Sequence, residues 1–504
     1  MQNKWPLIRL SDCAKFQEGY VNPSQKHEEY FGEDIKWLRA TDLNNANVYE
    51  TSRKLSTIGF QSAGKSAYLF KPDTIGISKS GTIGRVGILK DYMCGNRAVI
   101  NIQVNDKVAN TKFIFYILKH YRPSIEQLAI GSVQPNLYTS ALGSLEFFNP
   151  DLKTQNKIVN ILSSLDDKIE LNQQTNQTLE QMAQTLFKSW FVDFDPVFDN
   201  LLAKADFNLA NLENTLPEPL FKKAKARLSA INASASTVEN KSADNIKASL
   251  TALSQSSSSQ LSARNVPEID ATSATILPQH SNHAHFPSEF EHNEQLGWIP
   301  KGWAASTTGD EFVVKGGSTP STKNADFWDD GEIHWTSPKD LSGKKTKIML
   351  DTNRKITELG LTKITSGLLP IDTVLMSSRA PVGYLALAKV PVAINQGYIA
   401  ITDAKTLSSE YTIQWLDSVM DEIKSISGGT TFAEISKKTF KSIQLIIPSK
   451  TVVDVYTKMT KAYYERITAN VQEINTLTET RDYLLPKLIS GEITLPDSQI
   501  SSEA

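Results

Sequence analysis

The chain has 504 residues, a hydrophobic content of 40% and a formal net charge of −2 at pH 7. This length exceeds what one hydrophobic core supports, so we expect about three folded units. Apolar runs fall short of the roughly 18 residues that a membrane-spanning helix needs, and the N-terminus lacks an apolar signal core. Two cysteines make no disulfide framework, and no Cys/His cluster has zinc spacing. We expect a cytoplasmic protein and assign it no metal, no cofactor and no membrane contact.

The near-neutral total hides an uneven distribution of charge. Residues 1–150 carry 18 Lys and Arg against 13 Asp and Glu, whereas residues 192–296 carry 8 against 13. Binding to phosphates depends on local positive charge more than on the total. The composition therefore permits nucleic-acid binding but does not establish it.

Residues 1–150 form the first predicted unit, which is mixed with β-structure predominating. Its strand candidates are short β-branched runs that end at Gly, Asp or Lys, namely Thr74–Ser78, Val86–Leu89 and Val99–Val104. A helix-like stretch, Lys112–Leu118, follows them. The strand-like stretch Leu145–Asn149 then ends at Pro150.

A long helix is predicted over residues 151–191. Mostly apolar residues recur there at alternating steps of four and three, without Pro or Gly, and Asp151 is suited to cap the N-terminus. Such a heptad seam packs against a partner helix rather than against a broad core. The seam consists of Ile158, Leu162, Leu165, Ile169, Asn172, Asn176, Leu179, Ala183, Leu186 and Trp190.

Residues 192–296 form a connecting segment, and part of it has low complexity. Ser and Ala dominate residues 228–290, and Ser256–Ser259 is a run of one residue type. Because large apolar residues are sparse there, a core cannot offset the entropy of ordering the chain. We predict disorder over 228–290.

The remainder of the chain repeats the first part at an offset of 298 residues. Matches include Trp5 with Trp303, Trp37 with Trp335, Gly131 with Gly429, Pro150 with Pro448 and Leu186 with Leu484. An offset of 299 matches Ser78, Gly84 and Asn96 to Ser377, Gly383 and Asn395. The repeat predicts a second unit over 297–448, a second long helix over 449–490 and a tail over 491–504. The second seam consists of Tyr456, Thr460, Tyr463, Ile467, Asn470, Ile474, Leu477, Arg481, Leu484 and Leu488.

The predicted fold class is α+β, with two β-rich mixed α/β domains joined by two long antiparallel coiled-coil helices in pseudo-twofold symmetry. Such symmetry brings Asn172 and Asn470 together, where a hydrogen bond between them would fix the register; a locally solvated seam is the alternative. Pro486 stands in the second helix where Lys188 stands in the first. Because proline lacks an amide donor, it should kink that helix or end it early, and break the symmetry there.

Three further patterns have weaker functional interpretations. Gly59–Ser66 matches the P-loop pattern, but its approach is polar and the second copy lacks Gly-Lys-Ser, so nucleotide binding through Lys65 stays a minor alternative. Cys13 and Cys94 are interpreted as buried thiols rather than nucleophiles. Four histidines lie in the Ser-rich region without the spacing that closes a metal site, namely His280, His283, His285 and His292.

Differences between the two copies identify candidates for base recognition. Residues that both copies share, such as Trp37, Ser78 and Gly84, are assigned to the scaffold, and residues that differ are assigned to discrimination. Arg suits guanine and Gln suits adenine, whereas a solvated surface is the alternative for each. The DNA-binding candidates are Lys36, Arg39, Lys79, Ser80, Arg85, Arg97, His334, Lys339, Ser378, Arg379, Tyr384 and Gln396.

Five stretches, taken in order and with the repeat, carry a resemblance to a known family. They are Ser78–Gly84, Leu186–Pro196, Leu296–Trp303, Gly428–Phe440 and Leu484–Ile493. The chain resembles the specificity subunit of type I restriction–modification enzymes over nearly its whole length outside 228–290.

The resemblance implies a non-catalytic reader of double-stranded DNA. Its two target-recognition domains would each bind one half of an asymmetric bipartite site, and the two helices would set the gap. It implies two methyltransferase subunits and two translocase–nuclease subunits as partners, which would carry AdoMet, Mg and ATP. A regulatory or decoy relative without active partners, and a carbohydrate-binding pair of domains, are the remaining alternatives.

Overall fold

A computed structural model describes residues 5–131, 135–233, 283–379, 381–429, 433–493 and 495. The chain divides into a first unit, Met1–Asn172 with Glu473–Ala504, and a second unit, Gln173–Gln472. The division therefore runs through the middle of both long helices. Among the described residues, no helix combines the length and apolar character needed to cross a membrane.

Three sheets build the described part of the first unit. The largest has five strands in the order Ala14–Glu18, Val99–Val104, Ile75–Ser78, Val86–Leu89 and Ala46–Val48. Its neighbours are antiparallel except for the last pair, which is parallel. A second sheet has the order Lys54–Leu55, Phe31–Leu38, Met93–Gly95 and Leu69–Phe70. Leu7–Arg9 pairs with Glu146–Phe148 in the third.

A helix covers the five-stranded sheet of the first unit. Thr111–His120 begins at Asn110, whose side chain accepts hydrogen bonds from two backbone amides, and it buries every residue from Phe113 to Leu118. These side chains pack on the isoleucines of the sheet, including Ile75 and Ile100. The remaining short helices are Leu10–Cys13, Glu28–Tyr30, Ala40–Asp42, Thr57–Gln61, Gly64–Ser66, Arg122–Gln127 and Thr139–Gly143.

The second unit repeats these sheets in the same strand order. Its five-stranded sheet runs Phe312–Lys315, Tyr398–Ala404, Val374–Ser377, Leu385–Ala388 and Ile348–Met349. A three-stranded sheet runs Arg354–Ile356, Ile333–Thr336 and Ala393–Ile394. Ala304–Thr307 pairs with Gln444–Ile447, and the hairpin Phe290–Asn293 with Gly297–Pro300 is additional. The predicted duplication and the α+β class are confirmed.

The helices of the second unit also follow the repeat. Ser409–Ser418 is the counterpart of Thr111–His120 and begins after the capping residue Ser408. The other short helices are Thr308–Glu311, Ala325–Phe327, Pro338–Leu341, Glu358–Leu361, Met420–Ser425 and Lys437–Lys441.

Two long helices are present as the heptad pattern predicted. The first runs from Leu152 to Phe187 and the second from Lys450 to Ile489. Asp151 caps the first, since its carboxylate accepts the amide of Thr154 at 2.8 Å. All the predicted seam residues are buried or half-buried. Within the first unit Asp166 contacts Arg481 and Asn172 contacts Glu473, so the two helices are antiparallel there.

The predicted hydrogen bond between Asn172 and Asn470 is wrong. The amide of Asn172 donates to Glu473 at 2.8 Å in the first unit. The amide of Asn470 donates to Asn176 at 2.8 Å in the second unit. Both side chains are buried. Each asparagine therefore has its own polar partner on the facing helix, and the alternative of a solvated seam is also wrong.

Pro486 does not end the second helix early. The helix continues to Ile489, and the carbonyl of Pro486 still accepts the amide of Ser490 at 2.9 Å. The prediction of an early end is wrong because proline removes only its own donor and leaves its carbonyl available, whereas the kink at Pro486 stays a prediction. The first helix instead changes to a π-helical turn over Lys188–Val192. The two helix ends therefore differ, as predicted.

The connecting segment is partly folded onto the second unit. It forms a helix over Asp195–Lys204, a turn over Leu209–Asn211 and a helix over residues 218–233. Phe286 packs edge-on against Trp190, with ring centroids 5.0 Å apart. Both ends of the predicted disordered stretch, 228–233 and 283–290, are therefore ordered, because apolar residues there reach a core. The prediction for 234–282 lies outside the described residues.

Candidate nucleic-acid interface

Three chain segments of the first unit meet at one end of its sheets, which we call the first loop end (residues 39, 79–85 and 96–98). The amide of Asn96 donates to the carbonyl of Leu38, which places the 96–98 turn beside Arg39. The amide of Lys79 donates to the carbonyl of Ala98 at 2.8 Å. Arg85 lies opposite Ser78, whose amide donates to the Arg85 carbonyl at 2.9 Å.

The second unit assembles the same surface, the second loop end (residues 339, 378–384 without 380, and 395–397). The amide of Asn395 donates to the carbonyl of Thr336, and that of Ser378 to the carbonyl of Gly397. Ser377 is bonded to Tyr384 at 2.8 Å as Ser78 is bonded to Arg85. The two loop ends therefore share one backbone framework.

Ser78 and Ser377 hold their loops in the same way. The side chains of Ser78 and Ser377 are both buried. The hydroxyl of Ser78 donates to the carbonyl of Thr82 and accepts the amide of Arg85. The hydroxyl of Ser377 accepts the amide of Tyr384 at 2.7 Å. These contacts close each loop through the serine hydroxyl and backbone groups, so they leave the side chains of Arg85 and Tyr384 available. The geometry supports their assignment to the scaffold.

Five first-unit candidates lie at the first loop end, and their charges are not equally available. Lys79 is 2.7 Å from Glu18, and Arg39 bonds to Ser52. Ser80 is half-buried in the loop. Within the described residues, the guanidinium groups of Arg85 and Arg97 have no hydrogen bond or ion pair, and Arg97 is exposed. Arg85 and Arg97 are therefore the cations best placed to meet phosphates or guanine.

Lys36 is separated from the other candidates. Its ammonium lies 2.8 Å from Glu50 and 2.9 Å from Asp91, and it donates to the carbonyl of Tyr49. Asp91 follows the end of strand Val86–Leu89, whereas Arg85 precedes its start. The hydrogen bonds that Lys36 donates to Asp91 and Glu50 raise its pKa, and these carboxylates already compensate its charge. The carboxylates around Lys36 would repel a phosphate group.

The second-unit candidates are mostly polar rather than charged. Gln396 is exposed, and its carbonyl oxygen accepts the hydroxyl of Thr319 at 2.8 Å. Lys339 is exposed on the Pro338–Leu341 turn, against which Gly397 packs. Arg379 lies 3.9 Å from Glu434. Ser378 is buried and Tyr384 is half-buried.

His334 is the second-unit candidate that lies away from the loop end. It is in strand Ile333–Thr336, and its Nδ1 is 3.1 Å from the carboxylate of Asp351. Like Lys36, it is in the strand rather than in a loop and has an acidic partner. Both positions are therefore weaker candidates for DNA contact than those at the loop ends.

Two exposed tyrosines beside the first loop end were missed by the comparison of the copies. Tyr20 is 47% exposed next to Gly19, which packs against Asn96. Tyr138 is 51% exposed and follows Leu137, whose amide donates to Lys79. Serines stand at the matching places in the second copy, 318 and 436. This difference was visible in the aligned repeat, but only the exposure identifies it as a surface feature.

Both units also contain an arginine stacked on a pair of aromatic rings, which the fixed offsets did not reveal. The guanidinium carbon of Arg53 lies 4.0 Å from the Phe31 ring centroid and 5.9 Å from that of Trp37. Arg354 lies 3.4 Å from Trp328 and 5.8 Å from Trp335. Because both copies share the stack, it belongs to the scaffold.

The structure contradicts the P-loop alternative. Gly59 lies inside helix Thr57–Gln61, and Gly64–Ser66 is a turn that leads to strand Leu69–Phe70. This order is helix, turn and strand, whereas a P-loop requires strand, loop and helix. Gly59 is needed for packing instead, since a Cβ there would lie 2.0 Å from the carbonyl oxygen of Tyr30.

The other weak patterns acquire structural explanations. Both Cys13 and Cys94 are buried, and desolvation raises the pKa of each thiol to about 12. His283 is buried with its Nδ1 3.5 Å from Asp199. His292 packs edge-on against Trp298, and His280 lies outside the described residues. Within the described ranges, no group of three or more His, Cys, Asp or Glu side chains is arranged to hold a metal ion.

Comparison with protein families agrees with the repeat in the fold. A model described as the type I restriction modification DNA specificity domain matches residues 2–181 and again residues 300–479. The second match begins and ends 298 residues after the first. The chain belongs to this specificity family. Recognition of a DNA target is therefore its class of function, and the predicted resemblance is confirmed.

Relatives in this family match over most of their length. The specificity subunit of type I restriction enzyme HindI from Haemophilus influenzae is 30% identical over 418 residues, which are 80% of this chain and 82% of the relative. The MjaIX specificity subunit from Methanocaldococcus jannaschii is 24% identical over 505 residues, covering 98% and 94%. Both names describe specificity subunits rather than catalytic ones.

A solved structure shares the fold. The S subunit of a type I restriction–modification system from M. genitalium superposes with a TM-score of 0.51 at 16% identity, covering 99% of this chain and 98% of that one. At this identity the likeness concerns the fold alone.

Proposed function

We propose that this chain reads an asymmetric, bipartite DNA target, with one half-site contacted by each loop end. Phosphate contacts at the loop ends would position each unit, and side chains at the 79–85, 96–98, 378–384 and 395–397 loops would read base edges. Two methyltransferase subunits and two translocase–nuclease subunits would act at the chosen site. AdoMet, Mg and ATP would bind to those partners.

The observation that carries this proposal is the combination of one backbone framework with two sets of side chains. Lys79, Arg85 and Arg97 of the first loop end correspond to Ser378, Tyr384 and Gln396 of the second. The hydrogen bonds that hold the loops are the same in both units. Two equally built surfaces with different donors and acceptors suit two different sequences, which is what an asymmetric target requires.

Mapping of adenine methylation tests the proposal. The chain would be produced with a methyltransferase subunit in a host that lacks other adenine methylation, and methylated positions would be read across the genome. The expected result is one bipartite motif with a fixed gap and two unlike halves, which disappears when the chain is omitted. A single uninterrupted motif, or methylation that does not depend on the chain, would contradict the proposal.

The same experiment separates the regulatory or decoy alternative. A decoy relative would co-purify with the methyltransferase subunit and leave the genome unmethylated. A carbohydrate-binding protein would do neither. Arg97, exposed at the first loop end and without an ion pair among the described residues, favours the DNA reader over the carbohydrate alternative.

A further inference from the structure

A polar cluster ties the first unit's domain to the two long helices. The hydroxyl of Tyr116, in the helix over the sheet, donates to Asp166 of the first long helix at 2.8 Å. Arg481 of the second long helix donates to the other oxygen of Asp166, also at 2.8 Å. The ammonium of Lys119 lies 3.9 Å from Asp166 with its side chain only 10% exposed. We call these four residues the first anchor.

A cluster at the corresponding place ties the second unit's domain to the helices. The amide of Gln414 donates to the hydroxyl of Tyr464 at 2.7 Å and to Glu180 at 2.9 Å. The ammonium of Lys347 lies 2.8 Å from Glu180 and 3.2 Å from Asp417. We call these five residues the second anchor.

The two anchors occupy equivalent positions but have opposite chemistry. The offset of 298 pairs Tyr116 with Gln414, Lys119 with Asp417 and Asp166 with Tyr464. The hydrogen bond from Tyr116 to Asp166 is therefore replaced by one from Gln414 to Tyr464. A cation in the first anchor is replaced by an anion in the second.

Because the polar groups of the anchors are buried, each of them needs its own partner. Tyr116 and Tyr464 are 2% and 1% exposed, so a hydroxyl that loses its partner cannot turn to water. An unpaired buried polar group costs its full desolvation, which is more than the gain from making the bond. Desolvation lowers the pKa of Lys119, and the nearby carboxylate of Asp166 opposes that shift.

We propose that the two anchors are positioning clusters that make the recognition domains non-interchangeable, so that the transferable unit of DNA specificity is a domain together with its anchor residues on the long helices. This inference rests on the proposed function. It concerns how each domain is held on its own stretch of helix, and not which bases it reads.

The consequence of a mismatched anchor follows from the charges. If the second domain stood on the first unit's helices, Asp417 would take the place of Lys119 and approach Asp166. Lys347 would find Thr478, the repeat equivalent of Glu180, so it would lose its ion pair with Glu180 and keep only the one with Asp417. These two carboxylates repel each other in a half-buried site, and Arg481 beside Asp166 and Lys347 beside Asp417 offset only part of that repulsion, so a displaced domain is favoured.

Two chimeras of the full chain, each produced with the methyltransferase subunit, test this inference. In the first, residues 303–448 replace residues 5–150, so that both domains are the second one. The second chimera adds Asp166→Tyr, Thr478→Glu and Arg481→Ala, which copy Tyr464, Glu180 and Ala183 onto the equivalent positions. The probe is DNA in which both halves are the second unit's half-site, oriented as the repeat requires.

The second chimera should methylate this DNA about tenfold or more faster than the first, because it restores a buried hydrogen bond and an ion pair. Equal rates for the two chimeras, including no methylation by either, would overturn the inference. The unaltered chain with the same partner must methylate its own site. If it does not, the proposed function fails, and the anchors are judged by the next measurement alone.

Tyr116→Phe, with Tyr92→Phe as the matched control, tests the first anchor without relying on the chimeras. Tyr92 is 54% exposed, so its hydroxyl has access to water. Tyr116→Phe should accelerate amide hydrogen exchange in Thr111–His120 about tenfold, and Tyr92→Phe should leave it unchanged. Unchanged exchange in both variants would contradict the anchoring role.

A positioning role also predicts an effect on the gap that lost stability alone would not produce. Tyr116→Phe should narrow the difference in methylation rate between DNA with the natural gap and DNA with the gap changed by one base pair. A variant that is only less stable would methylate both DNAs more slowly by the same factor. Equal slowing on both DNAs would overturn the positioning role.

Discussion

Burial determines the chemistry of the two cysteine side chains. Cys13 and Cys94 are 1% and 0% exposed, and desolvation raises each thiol pKa to about 12. At pH 8 only about one thiol in ten thousand would be ionised, and the thiolate is the reactive form. We predict that an aromatic disulfide reagent labels neither cysteine in the folded chain and labels both after unfolding. Labelling of the folded chain at the rate of free glutathione would contradict this.

Gly59 is a packing residue whose replacement should be costly. A Cβ at Gly59 would lie 2.0 Å from the backbone oxygen of Tyr30, which ends the short helix Glu28–Tyr30 and also accepts the amide of Ser56, so it cannot move freely. We predict that Gly59→Ala lowers the free energy of unfolding by about 3 kcal/mol. The control Lys65→Ala removes an exposed side chain and should change it by less than about 0.5 kcal/mol. Denaturant titration measures both.

The same pair of variants tests nucleotide binding. If ATP raised the melting temperature of the unaltered chain and Lys65→Ala abolished that rise, the P-loop alternative would return despite the order of its elements.

Arg85 and Arg97 should affect one half of the target only. Replacing either by Ala removes a cation without an ion pair among the described residues at the first loop end. Loss of a bidentate contact to guanine costs about 1–3 kcal/mol, so methylation should become about tenfold less selective at one half-site. Lys107→Ala is the matched control, since Lys107 is exposed beyond the other end of strand Val99–Val104. Relaxation at both halves would contradict the assignment of one half-site to each unit.

At the scale of elements, we predict that the buried Asn176–Asn470 pair adds little net stability although its two side chains depend on each other. Asn470→Leu alone leaves Asn176 without its donor and should cost about 1–3 kcal/mol. The double variant Asn176→Leu with Asn470→Leu removes both polar groups and should recover most of that loss. Denaturant titration of the four members of the cycle gives the coupling energy. Additive effects of the two substitutions would show that the side chains are not coupled.

Periodicity predicted the long helices because a seam repeats over five heptads and few other structures produce that pattern. It did not predict the partners of Asn172 and Asn470. Which residues face each other in an antiparallel pair depends on how far one helix is shifted along the other. That shift depends on tertiary contacts such as the hydrogen bond from Tyr116 to Asp166, which the heptad pattern does not show. The assumption of symmetry brought equivalent residues together, whereas the repeat equivalents of the actual partners Glu473 and Asn176 are Thr175 and Ile474, which differ from them in chemistry.

Alignment of the repeat predicted that most of the DNA-binding candidates lie in loops at the loop ends. Serine and glycine residues shared by both copies indicate a common loop backbone, and the polar residues beside them differ between the copies. It could not separate Lys36 from Arg97. The carboxylates that compensate Lys36 come from Glu50 and Asp91, which are distant in sequence and are brought together only by the folded sheets. The short strands Ala46–Val48 and Lys54–Leu55 were missed, since two or three residues show no alternation.

At the scale of the whole molecule, the length of the long helices should set the gap between the half-sites. Both helices run without interruption through the division between the units, at residues 172–173 and 472–473. Deleting one heptad from each, residues 173–179 and 466–472, removes facing layers and retains the contact of Asn172 with Glu473. A heptad restores the same helix face to within about 20°, so the seam still closes.

This deletion shortens the helices by about 10 Å at 1.5 Å per residue. We predict that the methylated motif keeps both half-site sequences and that its gap shortens by about three base pairs at 3.4 Å each. Deleting five residues from each helix is the control, since at 100° per residue it turns the seam by about 140° away from its partner and should abolish methylation. An unchanged gap after the heptad deletion would contradict the helices as the ruler. A changed half-site sequence would contradict the separation of reading from spacing.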